Sequence, residues 1–178
     1  MARQLALLRG INLGSRNRIS MPELRSALAD AGYDDVRTYV QSGNVVLTST
    51  AKPDRLEREL AALIAERFGL DVPVVVRTRN ELAKVVQRNP LAAIAVDAKR
   101  YQVTFLRARP PRELTNRLEA AAAPSEAFVV DGREVYAWHP AGVARSKLWT
   151  LLAGTTLGIV ATSRNWTTAT TLLALADE

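Results

Sequence analysis

Three arginines, Arg9, Arg16 and Arg18, fall inside the stretch LLRGINLGSRNRISM, and no acidic residue precedes Glu23. A guanidinium offers five N–H donors in a planar fork that matches a phosphate or carboxylate, so the chemistry of this cluster is anion binding. Asn12 and Gly14 stand among the arginines. The segment from Gly10 to Ile19 is ten residues long, where a strand-to-helix connection usually takes ~2 to 6, and surplus loop length is commonly functional. It also leads to a helix start, where free N–H groups and the dipole favour an anion. Arg9, Asn12, Gly14 and Arg16 are the candidate ligand residues, with Arg9 and Asn12 aimed inward. Arg16 and Arg18 lie farther out, steering a ligand or solvating the surface. The spacing is not that of a nucleotide-binding P-loop, because no Gly-Lys-Ser/Thr follows at the required distance. The competing reading is a solvated connection whose asparagines bond local backbone.

Other candidates lie farther along. QSGN supplies Gln41 and Asn44, which a split β-α-β arrangement brings beside the basic loop, although polar side chains at a turn usually mean only a turn. GVARSKL and TSRNW bring Arg145 with Lys147, and Arg164 with Asn165, to two helix starts, where a joint anionic site is one reading. In the other reading Ser146 and Asn165 are caps. Tyr101 and Phe105 share one strand face, and Tyr136 and Trp138 another. Stacking of bases is one use for them, but the RNA-recognition block is absent and core packing is the expectation. His139 is the single histidine; with no carboxylate near it in sequence it reads as structural. Glu57, Glu59, Asp34 and Asp35 read as capping or solvent-facing. No nucleophile-and-base pair is recognisable, so catalytic residues stay unassigned, and no metal or cofactor is expected from a chain with no cysteine and one histidine.

Composition narrows the class. The 178 residues are 48% hydrophobic, which suits a globular core and excludes a disordered chain. No segment approaches the ~20 apolar residues of a membrane span, and the expectation is a soluble, cytoplasmic protein with no membrane partner. The formal charge is +6, and residues 1 to 100 carry 16 Lys or Arg against 11 Asp or Glu, so the basic excess belongs to the first half. A pI near 10.2 also attracts nucleic acid, weakly and without reading sequence.

The elements that position these residues follow from periodicity. QLALLRG reads as a buried strand. Ser20 and Glu23 have capping-box spacing ahead of a helix through Leu24 and Leu28. VRTYV, QSGN and VVLTST form a hairpin, and Asp54 with Glu57 repeats the cap signature before a second helix and the strand VPVVV. Residues 79 to 100 serve as connector, with a helix opened by Thr78 and Glu81. The order then restarts with YQVTFLR, a helix after Pro110-Pro111, a hairpin through Asp131-Gly132, the short helix SKLWTLL, the strand LGIVAT and a terminal helix capped by Asn165. The fold class is α/β of the α+β kind: two ferredoxin-like β-α-β-β-α-β units with an extra C-terminal helix, over residues 1–78 and 101–178. No identity between the halves stands out, so the repeat is one of topology.

The blocks ALLRGINLGSRNRISMPELRSAL, VRTYVQSGNVVL, GVARSKL and TSRNWTTATTLLALA resemble the signature blocks of the bacterial domain-of-unknown-function family 1697. The resemblance implies a bacterial protein with paired ferredoxin-like units and brings no activity with it. The residues themselves favour an uncharacterised protein that binds a small phosphate- or carboxylate-bearing ligand at the basic loop and helix N-termini between two α/β units. A weak, non-specific nucleic-acid binder and a protein-interaction scaffold are the alternatives.

Overall fold

The computed structural model describes residues 1 to 178. The chain divides into two compact units, Met1–Ala83 with Leu172–Glu178, and Lys84–Thr171. The first carries β1 (Ala2–Leu8), α1 (Met21–Asp30), β2 (Asp34–Tyr39), β3 (Asn44–Ser49), α2 (Pro53–Phe68) and β4 (Val74–Thr78). The chain then forms α3 (Arg79–Arg88), and the second unit carries β5 (Tyr101–Leu106), α4 (Arg112–Ala121), β6 (Ala127–Asp131), β7 (Glu134–Trp138), α5 (Lys147–Ala153) and β8 (Ala161–Asn165). Helix α6 (Trp166–Asp177) follows. Each unit has one antiparallel four-stranded sheet, of order β2-β3-β1-β4 or β6-β7-β5-β8, which makes both of them ferredoxin-like β-α-β-β-α-β units.

Local chemistry explains the boundaries. Ser20 caps α1 by accepting the Glu23 N–H at 3.4 Å. Thr78 and Glu81 cap α3 reciprocally, Thr78 Oγ1 taking the Glu81 N–H and Glu81 Oε2 taking the Thr78 N–H. In the first unit Leu24, Leu28, Leu56, Leu60 and Ile64 from the helices close on Ala6, Leu8, Val45, Leu47, Val74 and Val76 of the sheet. Each such leucine contributes about 1.5 to 3 kcal/mol by leaving water. Leu114, Leu118, Leu148 and Leu152 do the same against Leu106, Val135, Ala137 and Ala161 in the second unit.

Two expectations about elements need correction. Asp54 and Glu57 do not form a cap: α2 begins at Pro53 after Lys52, and Glu57 is buried with Oε1 accepting the Val76 N–H of β4 at 2.9 Å. The last strand is not Leu157–Thr162 but Ala161–Asn165, because Gly158 takes a left-handed φ of 86° and Leu157 is buried as a separate plug of the second core.

The halves also share more than topology. Leu5 pairs with Val46 and Arg77, and Val103 pairs with Tyr136 and Arg164. Aligning these registers matches Gln4 with Gln102, Leu8 with Leu106, Arg9 with Arg107 and Arg77 with Arg164, so QLALLR and QVTFLR are the same strand twice. Backbone bonds repeat as well: the Leu8 and Leu106 N–H groups donate to Gly43 O and Arg133 O, and those of Arg9 and Arg107 to Pro73 O and Val160 O. Where the units differ is in their connections. The chain uses residues 9 to 20 between the first strand and helix of unit one, against 107 to 111 in unit two. Between the third strand and second helix it uses 50 to 52 in unit one, against 139 to 146 in unit two.

Candidate functional site

The basic loop is a built structure. Ile11 and Ile19 are 2% exposed and pack into the first core, pinning both ends. Between them the Asn12 N–H donates to Asn17 O, Asn17 Nδ2 to Gly10 O at 3.1 Å, and the Arg16 N–H to Leu13 O. Asn12 does most of the shaping: its Nδ2 donates to Ile19 O at 2.9 Å and to Gln41 O at 2.6 Å, and its Oδ1 accepts the Ile19 N–H at 2.9 Å. Gly10, Asn12, Gly14 and Asn17 all have positive φ, a conformation that Gly and Asn adopt at least cost. The Asn12 amide is thus a scaffold for the loop and its hydrogen-bonding groups face the backbone, contrary to the inward aim expected of it.

That scaffold sets the QSGN turn beside the loop, as the Asn12 to Gln41 bond shows. Gln41 is exposed, whereas Asn44 is fully buried with Nδ2 on Tyr39 O and Ser42 Oγ. Arg9 is half-buried just past β1, and Arg16 and Arg18 are exposed. Neither of these two outer arginines has a carboxylate partner, whereas the exposed Arg55, Arg67, Arg88 and Arg100 pair with Glu59, Asp30, Asp131 and Asp97.

In the second unit the expected residues separate. Arg164 is buried in β8, where its guanidinium donates to Thr162 Oγ1 at 2.6 Å and Ser163 O at 2.8 Å, and burial lowers its pKa to about 10. Asn165 caps α6, accepting the Thr168 N–H at 2.9 Å. Arg145 and Lys147 are exposed and line a concavity of about 670 Å³ to which Arg164 and Asn165 do not contribute.

Sequence reasoning missed the polar network behind that concavity. His139 is fully buried, and its Nδ1 lies 2.5 Å from Glu126 Oε2, so a carboxylate does accompany it. Ser146 Oγ donates to the same oxygen at 2.5 Å while accepting the Trp149 N–H at 3.0 Å, and Glu126 Oε1 accepts the Ala123 N–H at 3.0 Å. Burial raises the Glu126 pKa, but the bonds from Ser146, Ala123 and His139 outweigh it and hold the carboxyl below its ordinary value. The arrangement is not a hydrolytic triad, because Ser146 and His139 Nδ1 meet the same carboxylate oxygen and no base faces the hydroxyl from Nε2. The separation of 13 positions between Glu126 and His139 hid the pair; Glu126 as the acid just before β6 was the available signal.

The aromatics Tyr101, Phe105, Tyr136 and Trp138 share one sheet face and are each no more than 8% exposed. Tyr101 stacks on Trp166 with centroids 4.7 Å apart. They offer no platform for bases. Among the side chains no group of His, Cys, Asp and Glu is arranged to hold a metal ion, and no helix is long and apolar enough to cross a membrane.

Comparisons with known proteins agree with this architecture. The sequence model of a family described as "Protein of unknown function (DUF1697)" matches residues 1–136. The solved structure of conserved bacterial protein SP0830 from Streptococcus pneumoniae superposes with a TM-score of 0.81 at 20% identity, covering 98% of both chains. At that identity the likeness concerns the fold. No curated protein matches the sequence.

Proposed function

Because the chain belongs to the DUF1697 family, which carries no known activity to argue from, we propose from the site itself that it binds a small phosphate- or carboxylate-bearing ligand through the Gly10–Ile19 loop. The observation that carries this reading is internal to the molecule. The same strand-to-helix connection is made twice, and the second copy takes five residues, 107 to 111, where the first takes twelve, 9 to 20. The added length is bonded to itself, anchored by two buried isoleucines, and tipped with two arginines that no carboxylate neutralises. A loop ordered in advance loses little entropy when it takes a ligand, and a charged hydrogen bond to an arginine contributes about 1.5 to 3 kcal/mol. In this reading Arg16 and Arg18 take the anion, Gly14 lets it approach the backbone, Arg9 and Gln41 border it, and Asn12 and Asn44 hold the frame.

The test is a thermal-shift screen of inorganic phosphate, nucleotides, sugar phosphates and organic acids, followed by calorimetry on the hits. Replacing both Arg16 and Arg18 by alanine should weaken binding at least about tenfold, the effect of losing ~1.4 kcal/mol. If no anion stabilises the wild type, or if the double variant binds as tightly, the loop is a solvated connection. Labelled oligonucleotides titrated across a salt series test the nucleic-acid alternative, which predicts weak binding that disappears at physiological salt.

A further inference from the structure

We propose that the second unit has its own binding site, independent of the basic loop, for a small organic acid with an apolar body. The site is the concavity between the end of α4 and the 139–146 connection. Each unit has a hollow at this point of its fold, lined by the end of its first helix and the chain entering its second, so the two can be compared directly. In unit one the hollow measures about 380 Å³ and its arginine, Arg55, is held by Glu59 at 2.6 Å. In unit two it measures about 670 Å³, and its cations, Arg145 and Lys147, have no carboxylate partner. The larger volume is within the ~300 to 1,000 Å³ range of metabolite pockets. The one acid in the lining, Glu126, has both oxygens occupied by Ser146, His139 and Ala123.

The enlargement coincides with the second connection that differs between the units, eight residues at 139 to 146 against three at 50 to 52. That connection is fastened from within. His139 and Ser146, its first and last residues, both reach Glu126, and Ser146 is also bonded by the Trp149 N–H. Arg145 and Lys147 flank Ser146, so their backbone is fixed by the same network while their side chains reach into solvent. The run Ala120–Ala123 forms the wall from α4, and Ala141 and Ala144, with Ser125 and Gly142, also line the hollow. Methyl groups and two unneutralised cations in one lining define the ligand chemistry. A hydrocarbon chain or ring lies on the alanines, and a carboxylate or other anionic head meets Arg145 and Lys147. Inorganic phosphate leaves the apolar wall uncovered, which is why the class is organic acids.

The probe is 1-anilinonaphthalene-8-sulfonate, an anion with an apolar body, titrated by fluorescence into the full chain. We expect saturable binding at one site per chain, displaced by hexanoate or benzoate and not by inorganic phosphate. The R145A/K147A double variant should weaken it at least about tenfold, and Ala144→Phe, at an exposed position facing the hollow, should abolish it. The R16A/R18A variant, which tests the basic loop, should leave it unchanged. Binding that is absent, that survives R145A/K147A, or that is lost instead in R16A/R18A overturns the site. Displacement by inorganic phosphate as effective as by hexanoate overturns the organic-acid assignment. Circular dichroism on each variant separates loss of site from loss of fold.

Discussion

Glu57 of α2 and Val76 of β4 are joined by a buried hydrogen bond, Oε1 accepting the Val76 N–H at 2.9 Å. A carboxylate on a helix is thus used to bond the backbone of a largely buried strand. Removing it strands a buried donor, which costs about 1 to 3 kcal/mol. Glu57→Leu should lower the denaturation midpoint accordingly, while Glu57→Gln, which keeps an acceptor, should recover most of it. Equal loss in both variants would point to the charge as the stabilising element.

Gly43 and Val40 make opposite predictions within one turn. A Cβ on Gly43 would lie 2.6 Å from Leu8 Cβ and 2.8 Å from Ile11 Cδ1, at φ +79°. Gly43→Ala should therefore destabilise by about 2 kcal/mol or more, from overpacking and left-handed strain together. Val40, β-branched and half exposed, sits at φ +51°, where a branched side chain is strained. Val40→Asn should stabilise by up to about 1 kcal/mol. Chemical denaturation of the two variants checks both signs.

Asn12 separates scaffold from contact. Asn12→Ala removes three hydrogen bonds that shape the basic loop, so it should lower stability by about 1 to 3 kcal/mol and weaken anion binding although its amide faces backbone. R16A/R18A should weaken binding with a melting temperature near that of wild type. Hydrogen exchange at Ile19, whose N–H bonds Asn12 Oδ1, should quicken in Asn12→Ala alone.

Glu126 contributes to the acid limb of stability. Its folded pKa is lowered, so its contribution is fully present above the ordinary value of 4.5 and is lost as pH falls below it. Melting temperatures from pH 7 to pH 3 should therefore fall less steeply in Glu126→Gln, which starts from a lower value at neutral pH. A slope equal to that of wild type would show that other carboxylates set the limb.

The fold was legible wherever local signals agreed with tertiary packing. Ser20 and Thr78 announced α1 and α3 by caps, and Asp131-Gly132 announced a hairpin that forms as expected, with Gly132 at φ +60°. Signals that depend on packing were misread. Asp54 and Glu57 have cap spacing, but Lys52 takes the N-cap place two residues earlier, α2 begins at Pro53, and Glu57 faces the sheet. The repeat QLALLR and QVTFLR was in plain view and became recognisable only through strand register, since its six positions hold just three identities. Of the candidate sites, charge clustering pointed to the exposed arginines, but it could not show that Asn12, Asn44 and Arg164 are committed to the fold. The His139, Glu126 and Ser146 network joins residues 13 and 20 positions apart, across a hairpin, and no short motif records it.

The first unit includes residues 172 to 178, where Asp177 pairs with Arg79 and Glu178 with Arg37. On the ribosome that segment is synthesised after the whole of Lys84–Thr171. The half of the protein that emerges first is therefore the half finished last, while the other is a single uninterrupted stretch. Chains truncated after residue 171 should hold a completed second unit and a first unit whose Arg37 and Arg79 lack their acidic partners.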